Sequence, residues 1–135
     1  MADYTVARID ELEGYYNGIF KKARATLGVT AFGLSIVDIP ENSVHYPEHT
    51  HPSGQEEVLV VIRGAGVMIF DEGAEQIELA PGTMVRIGAR TKRTIRVGGE
   101  GLQAVAIGGT PGEVYTPPAY SELGALDPLL KRPGT

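Results

Sequence analysis

The sequence predicts an all-β domain, an antiparallel sandwich or barrel, and three observations lead to that prediction. Eighteen glycines and nine prolines are spread among short apolar runs in 135 residues. The runs are rich in β-branched residues, which favour strands. From Val29 to Gly109 no segment of helical length separates them. About eight short strands joined by glycine turns are typical of sandwiches and barrels.

The first 28 residues have a different pattern. Between residues 6 and 22, apolar side chains recur at steps of three and four positions, without strand alternation. They are Ile9, Leu12, Tyr16, Ile19 and Phe20. This spacing favours a short amphipathic helix or a loosely packed arm, although two glycines, at positions 14 and 18, weaken a continuous helix. We therefore predict an N-terminal helical segment or arm over residues 1–28.

The predicted barrel occupies residues 29–109. Its strands are expected at 30–39, 44–51, 57–62, 67–70, 74–79, 83–87, 93–97 and 102–107. The side chains expected in its core are Leu34, Val58 or Leu59, Val61, Ile69, Val85, Ile87 and Val105. Residues 110–135 are a tail rich in proline and glycine, in which helical turns are expected at 121–123 and 126–131.

Composition excludes several classes of function. The sequence has no cysteine, which excludes disulfides, zinc–cysteine sites and thiol catalysis. A formal net charge of −5 gives a nucleic-acid partner little electrostatic support. No signal-peptide pattern opens the chain, and no apolar run reaches the roughly 20 residues of a membrane span. We expect a cytoplasmic protein that binds neither nucleic acid nor membrane.

All three histidines lie close together, at His45, His49 and His51. Alternate side chains of an extended strand share a face, so His49 and His51 point the same way, and His45 joins them if no bulge intervenes. A returning strand that begins with Glu56 and Glu57 can add a carboxylate. Imidazoles and a carboxylate, with positions left open for substrate, suit a first-row metal ion.

Around these histidines the sequence resembles the first motif of the cupin family. That motif runs glycine, five residues, His-x-His, three or four residues, glutamate, six residues and glycine. Ser43 stands at the position of the first glycine. Counting forward from the histidines gives Glu56, whereas counting back from Gly64 gives Glu57. We favour Glu57, because the strand leading into the Gly64 turn determines which side chains face inward; Glu56 remains the alternative.

The second cupin motif is recognisable by Pro81-Gly82 and the strand that follows. The position of its metal-binding histidine falls on Arg93. A guanidinium stays cationic and cannot ligate a metal, so it would repel a divalent cation and attract a carboxylate or phosphate. The resemblance covers roughly residues 28–109 and implies a double-stranded β-helix, the jelly-roll or cupin barrel.

The resemblance implies a pocket that holds a divalent metal, either iron, manganese, nickel or zinc, and a small anionic ligand. The expected residues are His49, His51 and Glu57 for the metal, and Arg93, His45 and Glu56 for the ligand. One hypothesis is a metal-dependent enzyme, because cupin relatives include dioxygenases, isomerases and decarboxylases. In the other, Glu57 pairs with Arg93, no metal binds, and the pocket is a non-catalytic module that binds or senses a small molecule.

We also expect a homodimer. Short cupin barrels expose apolar sheet edges, and the N-terminal segment with its apolar stripe is a natural cover for a neighbour. The prediction is that residues before about Leu27 cross to the partner subunit. A purely structural, dimer-forming barrel is a third and weaker hypothesis.

Overall fold

A computed structural model describes residues 1–117, whose regular structure is mostly β-strand. A 3-10 turn at Ile9–Glu11 and a five-residue helix α1 (Ala23–Leu27) are its helical parts near the N-terminus. The strands are β1 (Gly14–Tyr15), β2 (Phe20–Lys21), β3 (Gly33–Ile39), β4 (Glu56–Phe70), β5 (Glu75–Leu79), β6 (Met84–Ile87) and β7 (Arg93–Gly109). The all-β prediction is confirmed. The turns expected at 121–123 and 126–131 lie outside the described residues.

Within residues 1–117 the strands form one antiparallel sheet in the order β1-β2-β3-β7-β4-β5, with β6 also paired to β4. The first part of β4 pairs with β6, and its last part pairs with β5. Strand β7 pairs with β4 on both sides of a bend. Because side chains from both parts meet in a single apolar cluster, the bend folds the sheet over a shared core. No helix in this part of the chain is both long and apolar enough to cross a membrane.

The bend in β4 and β7 depends on glycine. The register shifts between Val61 and Arg63 and again between Gly64 and Gly66. Gly64 has a φ of 84°, and a Cβ there would lie 2.1 Å from the carbonyl oxygen of Gly101. Any larger residue would have to displace the backbone of β7, so the two paired strands approach each other closely at this register shift.

The same shifts change which side chains of β4 face the core. Leu59 and Val61 are buried before the bend and Met68 after it. Of the predicted core residues, Leu59, Val61 and Ile87 are confirmed. The others are only partly buried: Leu34, Val58, Ile69, Val85 and Val105. Because a shift of one residue exchanges the two faces of a strand, Met68 takes the place expected for Ile69.

Of the two forms expected between residues 6 and 22, a helix or a loosely packed arm, the helix is not present there; the short helix of the N-terminal segment is α1, at Ala23–Leu27. Tyr16 and Asn17 adopt positive φ angles of 56° and 58°, which turn the chain into the hairpin of β1 and β2. Strand β2 pairs with β3, and Ile19, Phe20 and Ala23 are buried against the barrel of their own chain. Residues 14–27 therefore lend no support to the predicted crossing to a partner. The homodimer itself stays a prediction.

Candidate metal and ligand site

The extended segment between β3 and β4 positions His49 and His51. It is not the regular strand expected at 44–51, but a β-bridge joins His49 to Arg93 through backbone hydrogen bonds of 3.0 and 3.1 Å. The backbone N–H of His51 donates to the carbonyl of Ala89 at 2.8 Å. Both imidazoles are buried, with ring centroids 5.1 Å apart. The two side chains thus point into the same region, as their spacing predicted.

Strand β4 begins with two glutamates whose side chains lie on opposite faces of the sheet. Glu57 points into the barrel, where its side chain is 13% exposed. Glu56 points outward and forms an ion pair with Arg86 of β6. Because neighbouring residues of a strand alternate between faces, only one of the two can reach the histidines. That one is Glu57.

The possible ligand atoms of His49, His51 and Glu57 all lie within 4.8 Å of one another. Nε2 of His51 is 3.6 Å from Oε2 of Glu57. Nδ1 of His49 lies 2.9 Å from the carbonyl oxygen of Pro47 and must donate to it, because a carbonyl only accepts. This assigns the tautomer and leaves Nε2 of His49 as the atom with a lone pair. Metal-binding histidines are commonly oriented by such a bond.

The electrostatics of the site set the protonation state of two of these donors. Burial lowers the pKa of His49 to about 4, against the opposing effect of the hydrogen bond to Pro47. Burial alone would raise the pKa of Glu57, but its hydrogen bond with His51 and the charge of Arg93 hold that pKa below its usual range. His49 is therefore neutral and Glu57 ionised at neutral pH. Those are the forms that bind a metal.

Arg93, the first residue of β7, is fully buried beside Glu57. Its Nη2 lies 3.4 Å from Oε1 of Glu57, and its Nη1 donates to the carbonyl of Thr91 at 2.8 Å. The carboxylate therefore uses its two oxygens differently. Oε1 faces Arg93, while Oε2 faces His51 and remains suitable as a metal ligand.

Solved structures resemble this architecture. A cupin protein from Bacteroides fragilis matches with a TM-score of 0.67 and 24% identity, over 86% of this chain and 93% of that one. A sugar phosphate isomerase from a cupin superfamily, from Silicibacter pomeroyi, matches with a TM-score of 0.63 and 18% identity, over 84% and 77%. This chain has the cupin fold. No family model and no curated protein matches the sequence.

The structure of a putative sugar phosphate isomerase from Acidithiobacillus ferrooxidans also matches, with a TM-score of 0.55 and 23% identity. The match covers 66% of this chain and 56% of that one. Identities this low establish the fold, while the chemistry has to be argued from the site.

A cavity of about 410 Å³ opens beside the three donors of this cupin barrel. That volume is in the range of small-molecule sites. The lining includes the neutral polar residues Ser35 and Gln55, the aromatic residues Tyr15, Phe20, Tyr46 and Tyr115, and the cations Lys21, Lys22 and Arg24. The donors therefore lie in the wall of a space that a ligand can enter.

Three residues expected to contact the ligand do not line this cavity. His45 is exposed, because the segment before His49 is not a regular strand and the alternation does not extend back to it. Glu56 faces the outer side of the sheet. The guanidinium of Arg93 is fully buried between Glu57 and a backbone carbonyl. Arg93 therefore contacts Glu57 and not the cavity, contrary to the expected contact with the ligand.

Gln55 and Arg24 are two of the lining residues that were not among the predicted site residues. Gln55 lies two positions before Glu57 and is 6% exposed, so the alternation that selects Glu57 also selects Gln55. That signal was present in the sequence. Arg24 lies in α1, outside both cupin motifs, and only the packing of the N-terminal segment brings it to the cavity.

Tyr46 supplies a neutral phenol to the same wall. Its ring lies 5.8 Å from that of His49 and 5.6 Å from that of Phe20, centroid to centroid. Burial, followed by the negative charge of Glu57, raises the pKa of Tyr46 far above its usual range. Tyr46 therefore stays protonated and can donate a hydrogen bond to a ligand.

The donor set fits a divalent first-row metal. Two imidazoles and a carboxylate converge, His49 is oriented by Pro47, and the cavity leaves coordination positions open. Arg93 opposes the metal by its charge but is largely neutralised by Glu57.

Proposed function

We propose that the pocket binds a divalent metal through His49, His51 and Glu57 and positions a small anionic ligand at the open coordination positions. The observation that carries the proposal is the convergence of these donor atoms, within 4.8 Å of one another, on the wall of a cavity. Catalytic metal sites commonly use three protein ligands and leave room for water or substrate. The proposed class is a small metal-dependent enzyme, in which the metal would polarise an oxygen of the ligand.

Two of the similar structures bear the name sugar phosphate isomerase, one of them as putative. A sugar phosphate is a small hydroxylated anion, which agrees in kind with the ligand proposed here. At 18% and 23% identity the names suggest compounds to test rather than a reaction.

A second candidate function is a metal-free binding module, and the ion pair between Arg93 and Glu57 favours it. The pair already gives the buried carboxylate a cationic partner at 3.4 Å. Metal and guanidinium would then compete for the charge of Glu57, and the cavity would bind its ligand without a metal.

Titration of metal into tag-free, metal-depleted protein separates the two candidates. Isothermal titration with Mn²⁺ and Ni²⁺ is expected to show one site per chain, and His49→Ala or His51→Ala is expected to weaken it at least tenfold. His45→Ala is the matched control, because His45 is exposed and outside the cavity lining. No measurable affinity in the unmodified protein would refute the metal site and leave the binding module.

We further propose that the protein works in the cytoplasm as a homodimer and binds neither nucleic acid nor membrane. The absence of cysteine and the formal net charge of −5 support the location and the lack of a nucleic-acid partner. Fractionation of cells and sedimentation of the purified protein would test these statements.

A further inference from the structure

Arg24 belongs to the N-terminal segment and lines the cavity from α1. Its Nη1 donates to the carbonyl of Val29 at 3.2 Å, and its guanidinium carbon lies 5.9 Å from the ring centroid of Tyr115. A guanidinium held by a carbonyl and an aromatic ring has lost much of its rotamer freedom before any ligand arrives. It can therefore bind an anion at a lower entropic cost.

The charge of Arg24 is not neutralised within the described part of the chain. Lys21 lies 3.9 Å from Asp38, and Lys22 lies 3.7 Å from Glu13, so both neighbouring lysines have carboxylate partners. None of the carboxylates in residues 1–117 pairs with Arg24. Glu57, the carboxylate in the lining, is paired with Arg93. The uncompensated charge of this wall is therefore that of Arg24.

Two glycines, on neighbouring strands, leave space for the side chains of Tyr115 and Gln55. Gly33 of β3 lies opposite Gly108 of β7. A Cβ on Gly33 would lie 2.8 Å from the hydroxyl of Tyr115, and one on Gly108 would lie 2.3 Å from Oε1 of Gln55. Tyr115 and Gln55 therefore pack directly on the glycine backbone. The backbone here holds Tyr115 near Arg24 and Gln55 inside the cavity.

Gln55 supplies a neutral counterpart to Arg24. Its side chain is buried, faces the cavity, and lies on the same strand face as Glu57. An amide both donates and accepts, which suits a hydroxyl or carbonyl group rather than a charge. The cavity thus offers, in one space, a metal-binding face, a neutral amide and a guanidinium that has no carboxylate partner among residues 1–117.

We propose that Arg24 is the anion-binding residue of this cavity and that the ligand is a small hydroxylated carboxylate or phosphate monoester. Its charged group would bind Arg24, and its hydroxyl or carbonyl groups would bind Gln55. This inference rests on the proposed function, in which one end of the ligand lies at the metal. It assigns the charged group of the ligand to Arg24 and not to Arg93. It replaces the role that the sequence suggested for Arg93.

Three compounds with the same carbon skeleton test this assignment: glycerol 3-phosphate, glycerate and glycerol. Titration of the full chain is expected to show binding of one or both anions and none of glycerol. Arg24→Gln is expected to weaken anion binding about 10- to 100-fold, the usual loss for a hydrogen bond to a charged group. Arg24→Lys keeps the charge but loses the planar, two-pronged guanidinium, so its anion affinity should lie between those of Arg24→Gln and the unmodified protein. Arg8→Gln is the control, because Arg8 is exposed and pairs with Asp10 outside the cavity.

The outcomes distinguish this inference from the metal proposal. Mn²⁺ affinity measured without any anion is expected to be the same in Arg24→Gln and in the unmodified protein. If anions bind in an Arg24-dependent way and no metal binds, the inference holds and the metal proposal fails. If all three compounds bind equally or not at all, or if Arg24→Gln binds anions as well as the unmodified protein does, the inference is wrong. Circular dichroism of each variant verifies that the barrel has folded.

Discussion

The buried pair of Glu57 and Arg93 makes a quantitative prediction for the metal-free protein. Arg93 is fully buried and the Glu57 side chain is 13% exposed, so neither charge is well solvated. Arg93→Met leaves a buried carboxylate without its cation, and Glu57→Gln leaves a buried guanidinium without its anion. Removing one partner of a buried pair costs about 3 to 5 kcal/mol in the free energy of unfolding.

The double variant is expected to be more stable than the sum of the single effects implies. With both charges gone, no buried charge remains uncompensated, and neutral replacements of buried pairs are often tolerated well. We therefore expect a coupling energy of at least about 3 kcal/mol in the double-mutant cycle. A single variant destabilised by about 3 kcal/mol should unfold roughly 10 °C earlier in a domain of this size.

Urea unfolding followed by circular dichroism at pH 7.5 measures all four proteins of the cycle. The matched control is the cycle of Glu56→Gln and Arg86→Met, which removes the ion pair between β4 and β6 on the outer face of the sheet. Those side chains are 39% and 68% exposed, so their coupling should stay below about 1 kcal/mol. Additive effects at Glu57 and Arg93, within about 0.5 kcal/mol, would show that the pair does not act as a unit and would refute the reasoning.

Three further predictions concern metal, pH and assembly. Arg93→His should tighten Ni²⁺ binding at least tenfold, because a unit charge at about 5 Å opposes a divalent ion by roughly 6 to 7 kcal/mol before the carboxylate is counted; unchanged affinity by titration would contradict this. Burial lowers the pKa of His49 from 6.5 to about 4, so the unfolded chain binds more protons between these values. The free energy of unfolding of the metal-free protein should therefore keep its full value above about pH 6.5 and fall by about 3 kcal/mol as the pH approaches 4. The fall should be smaller in His49→Gln. On the outer sheet face Met84, Ile62 and Ile107 are 74%, 42% and 39% exposed, and we expect this apolar surface to pair with a second copy. Sedimentation should show a dimer that Met84→Glu converts to a monomer; a monomer before substitution would contradict the prediction.

The features of the site that depend only on neighbouring residues could be predicted from the sequence. The shared face of His49 and His51 and the choice of Glu57 follow from strand alternation, which needs no knowledge of distant contacts. The helix considered for residues 6–22 is absent for the opposite reason, because apolar residues spaced by three and four positions suit a hairpin as well as a helix. Pairing of β2 with β3, the next strand along the chain, decides between them. Arg24 was missed with the N-terminal segment, since its place at the cavity depends on the same pairing.

Arg93 changes the charge balance of the proposed site more than its shape. In a site whose glutamate is unpaired, the carboxylate would reduce the charge of a divalent ion from +2 to +1. Here Arg93 already neutralises Glu57, so the metal and its ligands keep a net charge near +2. Such a site binds a metal less tightly on its own and an anion more tightly once the metal is present. Because coupling between two ligands is reciprocal, the anion must strengthen metal binding by the same factor. Under the proposed function, metal and anion therefore each bind more tightly when the other is present.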